Sequence, residues 1–339
     1  MKERYALGLD GGASKILSQL FLINDKNQIL NESRPFEVNY KNLEKFDQSF
    51  SPVKLKVQKE QNLDKSITVL PKELRQSKVI IEAIIKSIEN FKSFDISVVG
   101  FCFPGIKTKN LDGISVMANG PRNLKMLDEL NKKINIELSS FTDIKKIYDD
   151  SLSCVYGEKF SLNGKLRNCS NGIYIGGGTG IADGLVYQNR IIDLTTESSI
   201  KKSWELIMAN GDSVEECFSL GGLSQQWNSK KPKSIDKLND LFIKARIKNK
   251  KAEKILFSAG EAFSLLINSR ISFFQSKGEY PEKIVIGQRL GLILSEKNHP
   301  LKNIILKNKF KDIPIELSSN RNTAALGAAY QAINGDDRE

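Results

Sequence analysis

Gly8-Leu-Asp-Gly-Gly-Ala-Ser-Lys15 decides the reading of this chain, together with a second stretch of the same kind, Ile175-Gly-Gly-Gly-Thr-Gly-Ile-Ala-Asp-Gly184. Each lies between two runs of strand character: Tyr5–Leu9 and Ile16–Ile23 around the first, Gly172–Ile175 and Gly184–Tyr187 around the second. Glycine carries no Cβ and accepts positive φ, so a Gly/Ser/Thr-rich hairpin brings backbone N–H groups close to an anion. Two such hairpins far apart in sequence predict two halves that hold one polyphosphate, and hence nucleotide chemistry. The P-loop pattern G-x-x-x-x-G-K-(S/T) is absent, as is G-x-G-x-x-G after a strand, so neither of those phosphate cradles is in use.

With 339 residues there is room for two domains, and a hydrophobic content of 40% supports a real core. No apolar run is long enough to span a bilayer. Met1-Lys-Glu-Arg-Tyr5 runs straight into an expected strand and leaves no space for a signal peptide, so the expectation is a cytoplasmic protein without a membrane partner. Cys102, Cys154, Cys169 and Cys217 form no C-x-x-C pair and sit in or beside apolar segments; they are expected to be buried free thiols. His299, the single histidine, precedes Pro300 in a polar stretch, which excludes a Ser-His-Asp triad or a His-rich metal site. The net charge of +11 is spread over stretches such as Ser229-Lys-Lys-Pro-Lys233 and Lys248-Asn-Lys-Lys251. The lysines do not alternate with aromatics, so they read as a basic surface with an attraction for polyanions such as nucleotides, not as a nucleic-acid module.

Along the chain, residues 1–31 read as a meander of Tyr5–Leu9, Ile16–Ile23 and Gln28–Asn31. Residues 34–72 are polar and poorly periodic, an insertion or loop with at most one edge strand. Glu73–Phe91 has helical spacing of Leu74, Ile81, Ile84, Ile85 and Ile88; Ile96–Phe103 is a buried-type strand ending at Pro104-Gly105. A helix over Met126–Ile134, a strand over Leu138–Phe141 and a helix over Ile144–Glu158 follow. Gly172–Ile175, Gly184–Tyr187 and Arg190–Asp193 repeat the meander, then helices Val214–Leu220, Ser234–Ala245 and Ala252–Gln275, strands Lys283–Ile286 and Ile313–Leu317, and a small-residue helix Thr323–Ile333. Meander, helix, strand and helix occur twice: a duplication of topology without a duplication of sequence.

Three groups of residues carry chemistry. In the first hairpin Asp10 is placed to organise Mg2+, through water, and Ser14 and Lys15 to contact phosphate. In the second, Gly178-Thr-Gly180 would weaken a strand unless its backbone must approach a ligand. In Tyr148-Asp-Asp150-Ser-Leu-Ser-Cys-Val-Tyr-Gly-Glu158, phosphoryl transfer to an alcohol needs a carboxylate to take the hydroxyl proton, yet Asp149 and Asp150 equally suit plain helix capping. Asn320-Arg-Asn-Thr-Ala-Ala-Leu-Gly-Ala-Ala329 describes a helix that packs closely against a neighbour or a flat ligand.

Taken in order, these elements resemble the ROK-family sugar kinases of the actin-like ATPase superfamily, over nearly the whole chain. Asp10-Gly-Gly-Ala-Ser-Lys15 is similar to the family's D-(I/G)-G-G-T-K, Phe103-Pro-Gly-Ile106 to its P-G segment, Asn119-Gly-Pro-Arg-Asn123 to N-L-P-G-W, and Gly178-Thr-Gly-Ile181 to G-T-G-I. Asp149-Asp-Ser-Leu-Ser-Cys-Val-Tyr-Gly-Glu158 resembles N-D-A-N-A-A-A-L-G-E without a gap, which implies Asp150 as catalytic base. Ile284-Val-Ile-Gly287 and Ala324–Ala329 resemble the segments flanking the adenosine. BadF-type ATPases share D-G-G-x-(S/T)-K, but their later G-D-E-G-S is missing here.

The resemblance implies a two-domain, actin-like (ribonuclease H-like) α/β fold with an interdomain cleft, divided into 1–122 and 123–319, with a helix over 320–339 returning to the first domain. It implies ATP and Mg2+, with nucleotide contacts from Asp10, Gly11, Gly12, Ser14, Lys15, Gly178, Thr179, Gly180 and Gly287, and the metal at Asp10. Sugar contacts are implied for Asn119, Asp149, Glu205 and Glu216. The family's E-x-G-H histidine becomes Met208 in Glu205-Leu-Ile-Met208, and its zinc cysteines are absent, so no structural zinc is expected. A homodimer is a further expectation. Two other readings are a nucleotide or sugar sensor that has lost catalysis and an ATPase driven by a protein partner.

Overall fold

The computed structural model describes residues 4–138, 141–197, 199–228, 238–307, 310 and 312–335. They fall into two units, 1–162 with 322–339, and 163–321.

The first unit begins with β1 (Arg4–Gly11) and β2 (Lys15–Ile23), an antiparallel hairpin, followed by β3 (Ile29–Glu32) and β4 (Phe36–Asn39), both paired to β2. Helix α1 (Leu55–Leu63) lies inside the stretch read as a loop. Helix α2 (Pro71–Glu89) starts at a proline, whose fixed φ suits a first helical turn, and buries Val79, Ile80, Ile84, Ile85 and Ile88. Then come β5 (Ile96–Phe103), β6 (Ile106–Lys107), β7 (Ile114–Val116), α3 (Met126–Glu137), β8 (Ile147–Asp149) and α4 (Asp150–Phe160). The main sheet runs β3-β2-β1-β5-β8, with β1, β5 and β8 parallel. The expected boundary at 122 therefore differs from the observed one. β8 pairs with β5, and α4 packs under a helix from 323–334, so residues 123–162 belong with the first unit.

That helix, Thr323–Asn334, explains its own composition. A Cβ on Gly8 would stand 2.0 Å from Ala325 O, one on Gly100 2.1 Å from Ala328 O, and one on Gly327 1.8 Å from Ser153 O. Only glycine at these three positions lets backbone meet backbone at this spacing, so the small-residue helix lies directly on β1, β5 and α4.

The second unit repeats the plan: β9 (Gly172–Gly177), β10 (Ile181–Tyr187), β11 (Arg190–Ile192), α5 (Val214–Phe218), α6 (Leu220–Asn228), α7 (Leu238–Arg246), α8 (Lys250–Ser276), β12 (Lys283–Gly287), α9 (Gln288–Ser295), α10 (Pro300–Ile305) and β13 (Ile315–Leu317). Its sheet runs β11-β10-β9-β12-β13, a hairpin followed by parallel strands, as in the first unit. Phe263, Leu266, Ile267 and Phe274 of α8 share a buried core with Ile173, Ile175, Ile284 and Ile286.

Several expectations are corrected. Ile144–Glu158 is not one helix: β-branched Ile147 enters the sheet and the helix starts at Asp150. Leu138 and Phe141 are not in a strand, and residues 139 and 140 lie outside the described residues. Val214–Leu220 breaks at Ser219, which caps α5 in an extended conformation. The lysines of 229–233 and the start of the Ser234–Ala245 helix lie outside the described residues. All four cysteines are buried and free.

Candidate functional site

In the first unit, β1, β5 and β8 end together. The register pairs Asp10 with Cys102 and Cys102 with Tyr148, so Asp10 and the Asp149-Asp150 pair come to neighbouring carboxyl ends of one parallel sheet. The Cys102 thiol donates to Asp10 Oδ1 at 3.7 Å. Burial, reinforced by the charge of Asp150, pushes the Asp10 carboxyl up to about 7, against the pull of Cys102 and Lys15. The hairpin beyond it closes through Gly12 N–H donating to Lys15 O at 2.9 Å, and Tyr40 holds it from behind, its hydroxyl on Gly12 O at 2.9 Å. Ala13 and Ser14 are exposed at the tip, and among the described residues no backbone acceptor takes their N–H groups. Lys15 pairs with Glu37.

Asp149 is the N-cap of α4, its Oδ1 accepting from Leu152 N–H at 3.0 Å, so the capping role read in the sequence is real. Asp150 occupies the first helical turn. Burial and the adjacent Asp149 push its carboxyl up to about 6, with Lys107 and nearby amides pulling down. Lys107 is the residue sequence reasoning missed. Its side chain is only 7% exposed, its ammonium donates to Phe103 O and to Gly105 O, and it lies 3.6 Å from Asp149 Oδ2. A buried lysine is tolerated where an anion and carbonyls compensate it, and here it offsets the charge of Asp149. The only sequence signal was a lysine placed two residues after a Pro-Gly turn.

Asn119 is exposed in the turn between β7 and α3. Arg122 in the same segment is fully buried and pairs with Glu73 of α2 at 2.8 Å.

In the second unit, the hairpin Gly178–Gly180 joins β9 and β10. None of Gly11, Gly12, Gly178 or Gly180 has a positive φ, so freedom of φ is not why glycine stands there. Space is: a Cβ on Gly178 would meet nothing within 4 Å, leaving bare backbone open above the turn. Gly178 N–H closes the turn on Gly180 O at 3.0 Å, and among the described residues no backbone acceptor takes the N–H of Thr179 or Gly180. The hairpin is backed by α5 and α6. Glu215 Oε2 accepts from Ile181 N–H at 3.1 Å, and Gly221 N–H donates to Gly178 O at 3.3 Å. A Cβ on Gly221 would stand 2.3 Å from Thr179 O, so the hairpin rests on a glycine at the start of α6.

The remaining sequence candidates of this unit fall elsewhere. Glu216 closes a capping box, accepting from Ser213 N–H and Ser213 Oγ, each at 2.8 Å, and exposed Glu205 accepts from Lys202 N–H at 2.8 Å within its own turn. Met208 packs against the hydrophobic core. Gly287 ends β12, paired with Gly176, and caps α9. Along α9, Arg289, Ile293 and Glu296 line a cavity of about 470 Å³, completed by Leu238, Asn239, Phe242, Ile243 and Arg246 of α7 and by His299. His299 is a buried cap, not a loop residue: its Nδ1 accepts from Leu301 N–H at 3.3 Å, and its ring meets Phe242 edge-on. Burial, then Arg246, push its imidazole down to about 4, so it is neutral at pH 7.

Among the described residues no group of three or more His, Cys, Asp or Glu side chains is gathered to hold a metal, and no helix is long and apolar enough to cross a membrane.

No protein-family model matches the sequence, and no curated protein matches it. Solved structures do. A ROK family glucokinase from Streptomyces griseus, in complex with glucose and AMPPNP, has a TM-score of 0.61 at 14% identity, over 98% of this chain and 100% of that one. A ROK hexokinase from Thermus thermophilus has a TM-score of 0.59 at 15% identity, over 97% of each chain. A ROK family transcriptional regulator, a homologue of the E. coli MLC protein, has a TM-score of 0.54 at 13% identity, over 97% of this chain and 78% of that one. The chain has the mixed α/β fold of these ROK-family structures.

Proposed function

We propose that the protein is an ATP-dependent sugar kinase, with Asp150 as general base. The observation that carries the reading is the convergence of Asp10 and Asp150 at the carboxyl ends of β1 and β8, each carboxyl raised toward neutral pH by burial and by its neighbours. Asp150 takes the proton from a sugar hydroxyl as that oxygen attacks the γ-phosphorus; the bond to the bridging oxygen breaks and ADP leaves. Lys107 keeps Asp149 from adding an uncompensated charge beside the base. The hairpins 11–15 and 178–180 supply amides to the phosphates, where bare turns fit an anion. In the cavity beside Gly287, Phe242, Ile243 and Ile293 give apolar walls, and Arg246 and Arg289 flat cations, which suits adenine.

Asp10 fits Mg2+. Its half-buried carboxylate lies close to a second acid, and Lys15, the nearby lysine, is already paired with Glu37. Mg2+ is commonly held by one or two carboxylates plus waters and phosphates, so the lack of a larger ligand set is no obstacle. When bound, the ion would neutralise charge on the phosphates.

A second reading, a sugar or nucleotide sensor, is favoured by one observation: the carboxylate of Glu205 is tied to its own turn and that of Glu216 to its own cap, and Met208 packs against the core. ADP release from Mg-ATP across a panel of hexoses, amino sugars and N-acetylated sugars separates the two. Sugar-dependent turnover lost in Asp150→Ala supports the kinase. Tight ATP binding without turnover on any sugar favours the sensor.

A further inference from the structure

The stretch 34–72 had no assigned role, yet it contacts the segment that carries Asn119. Helix α1 buries none of its apolar residues: Leu55, Val57 and Leu63 are exposed, and the residue it buries is Gln58. A buried amide is costly unless every group is paired. Gln58 pays that cost through one partner far away in sequence: its Oε1 accepts from Met117 N–H at 2.7 Å and its Nε2 donates to Met117 O at 3.0 Å, while Nε2 also donates to Val53 O at 2.7 Å. Met117 stands two residues before Asn119.

The other side of the turn is gripped by the same stretch. Arg122 donates to Gln61 Oε1 at 2.6 Å, to Thr68 O at 2.9 Å and, from Nε and Nη2, to both Glu73 oxygens at 2.8 Å. Arg122 and Glu73 are both completely buried. Burial by itself would raise the Glu73 carboxyl, but the Arg122 hydrogen bonds and charge hold it below the usual range. Asn123 adds a bond to Ser77 Oγ at 2.8 Å. The turn 118–121 is thus pinned at both ends while Asn119 stays exposed at its apex.

We propose that the strap formed by residues 53–73 positions the Asn119 turn for the sugar, with Gln58 as a positioning residue for acceptor binding. The proposal rests on the sugar-kinase reading and deepens it. A pinned turn has already lost the freedom that a mobile one would lose on binding, so loosening it weakens sugar binding without touching the nucleotide.

The test compares wild type, Gln58→Ala, Gln58→Met, Asn119→Ala and the double variant Gln58→Ala/Asn119→Ala. Calorimetry with glucose, mannose and N-acetylmannosamine gives affinities, and ADP release gives KM for sugar and for ATP. Either Gln58 variant should weaken sugar binding about tenfold with KM for ATP unchanged, and should lower the thermal transition as well, because Met117 and Val53 lose their buried partner. Gln58→Met retains the bulk of the side chain, so it reads the lost pairing if the alanine variant folds poorly. The double variant should be no worse than Asn119→Ala alone, because both act through one side chain. Unchanged sugar affinity, an equal loss for ATP, or losses that multiply in the double variant would overturn the proposal. So would a wild type that binds none of the three sugars. Sugar binding that depends on Gln58 without any turnover would sink the kinase reading alone.

Discussion

The first hairpin follows a strand that carries its own carboxylate, Asp10, and is braced by Tyr40, in the turn that follows β4. The second has no acid of that kind at its approach. It is braced by Glu215 and Gly221, which arrive from helices more than thirty residues later. The first hairpin therefore has a buried acid beside it, and the second presents bare backbone with helices behind it. The same turn was built twice, and the difference lies in what backs it.

The sharpest way to break this comparison is Asp150→Ala. Loss of the base should cut kcat by about a thousandfold while ATP affinity, read by calorimetry, stays within a few-fold. Retained sugar phosphorylation would remove the base from the first unit's side.

Next come the glycines of the second hairpin. Gly178→Ala places a methyl in open space, so the thermal transition should hold, but ATP affinity should fall about tenfold if phosphate occupies that space. Gly221→Ala forces a carbon against Thr179 O and should lower both stability and affinity. Equal behaviour of the two variants would mean the open space above Gly178 holds nothing.

The pH profile separates the acids. Asp150, pushed up to about 6, works as a base when deprotonated, and the Mg2+ proposed at Asp10 needs that carboxyl, pushed up to about 7, ionised as well; kcat/KM should therefore level off only above about 7 and fall more steeply than tenfold per unit below about 6. Lys107→Met removes the charge that pulls Asp150 down, so the acid limb should move to higher pH while the rate above pH 8 changes little. An unmoved limb would take Lys107 out of the electrostatics. Smallest is Arg289→Ala, expected to weaken ATP only about threefold through a lost contact with the base, read as KM for ATP.

Much of this was legible in the chain. Alternating and buried-type apolar runs marked the strands and the long helix α8, because period and burial are local consequences of side-chain pattern. The hairpins stood out because glycine clusters interrupt strands, and the Asp149-Asp150 pair because acids suit a helix start. α1 was missed because its one buried residue is a polar Gln58, which leaves no apolar stripe to read. Glu216 was named from its resemblance to a family glutamate; in the folded chain it closes its own capping box, while Glu215 beside it accepts from the hairpin.

The sequence by itself determined the two meanders, the small-residue helix and the two glycine hairpins, since these follow from propensity, spacing and the absence of a Cβ. Only the tertiary structure decided that residues 123–162 join the first unit, that Lys107 answers Asp149, and that Gln58 and Arg122 pin the turn of Asn119. Those are long-range pairings of buried polar groups, and such groups choose their partners by geometry after the chain has folded.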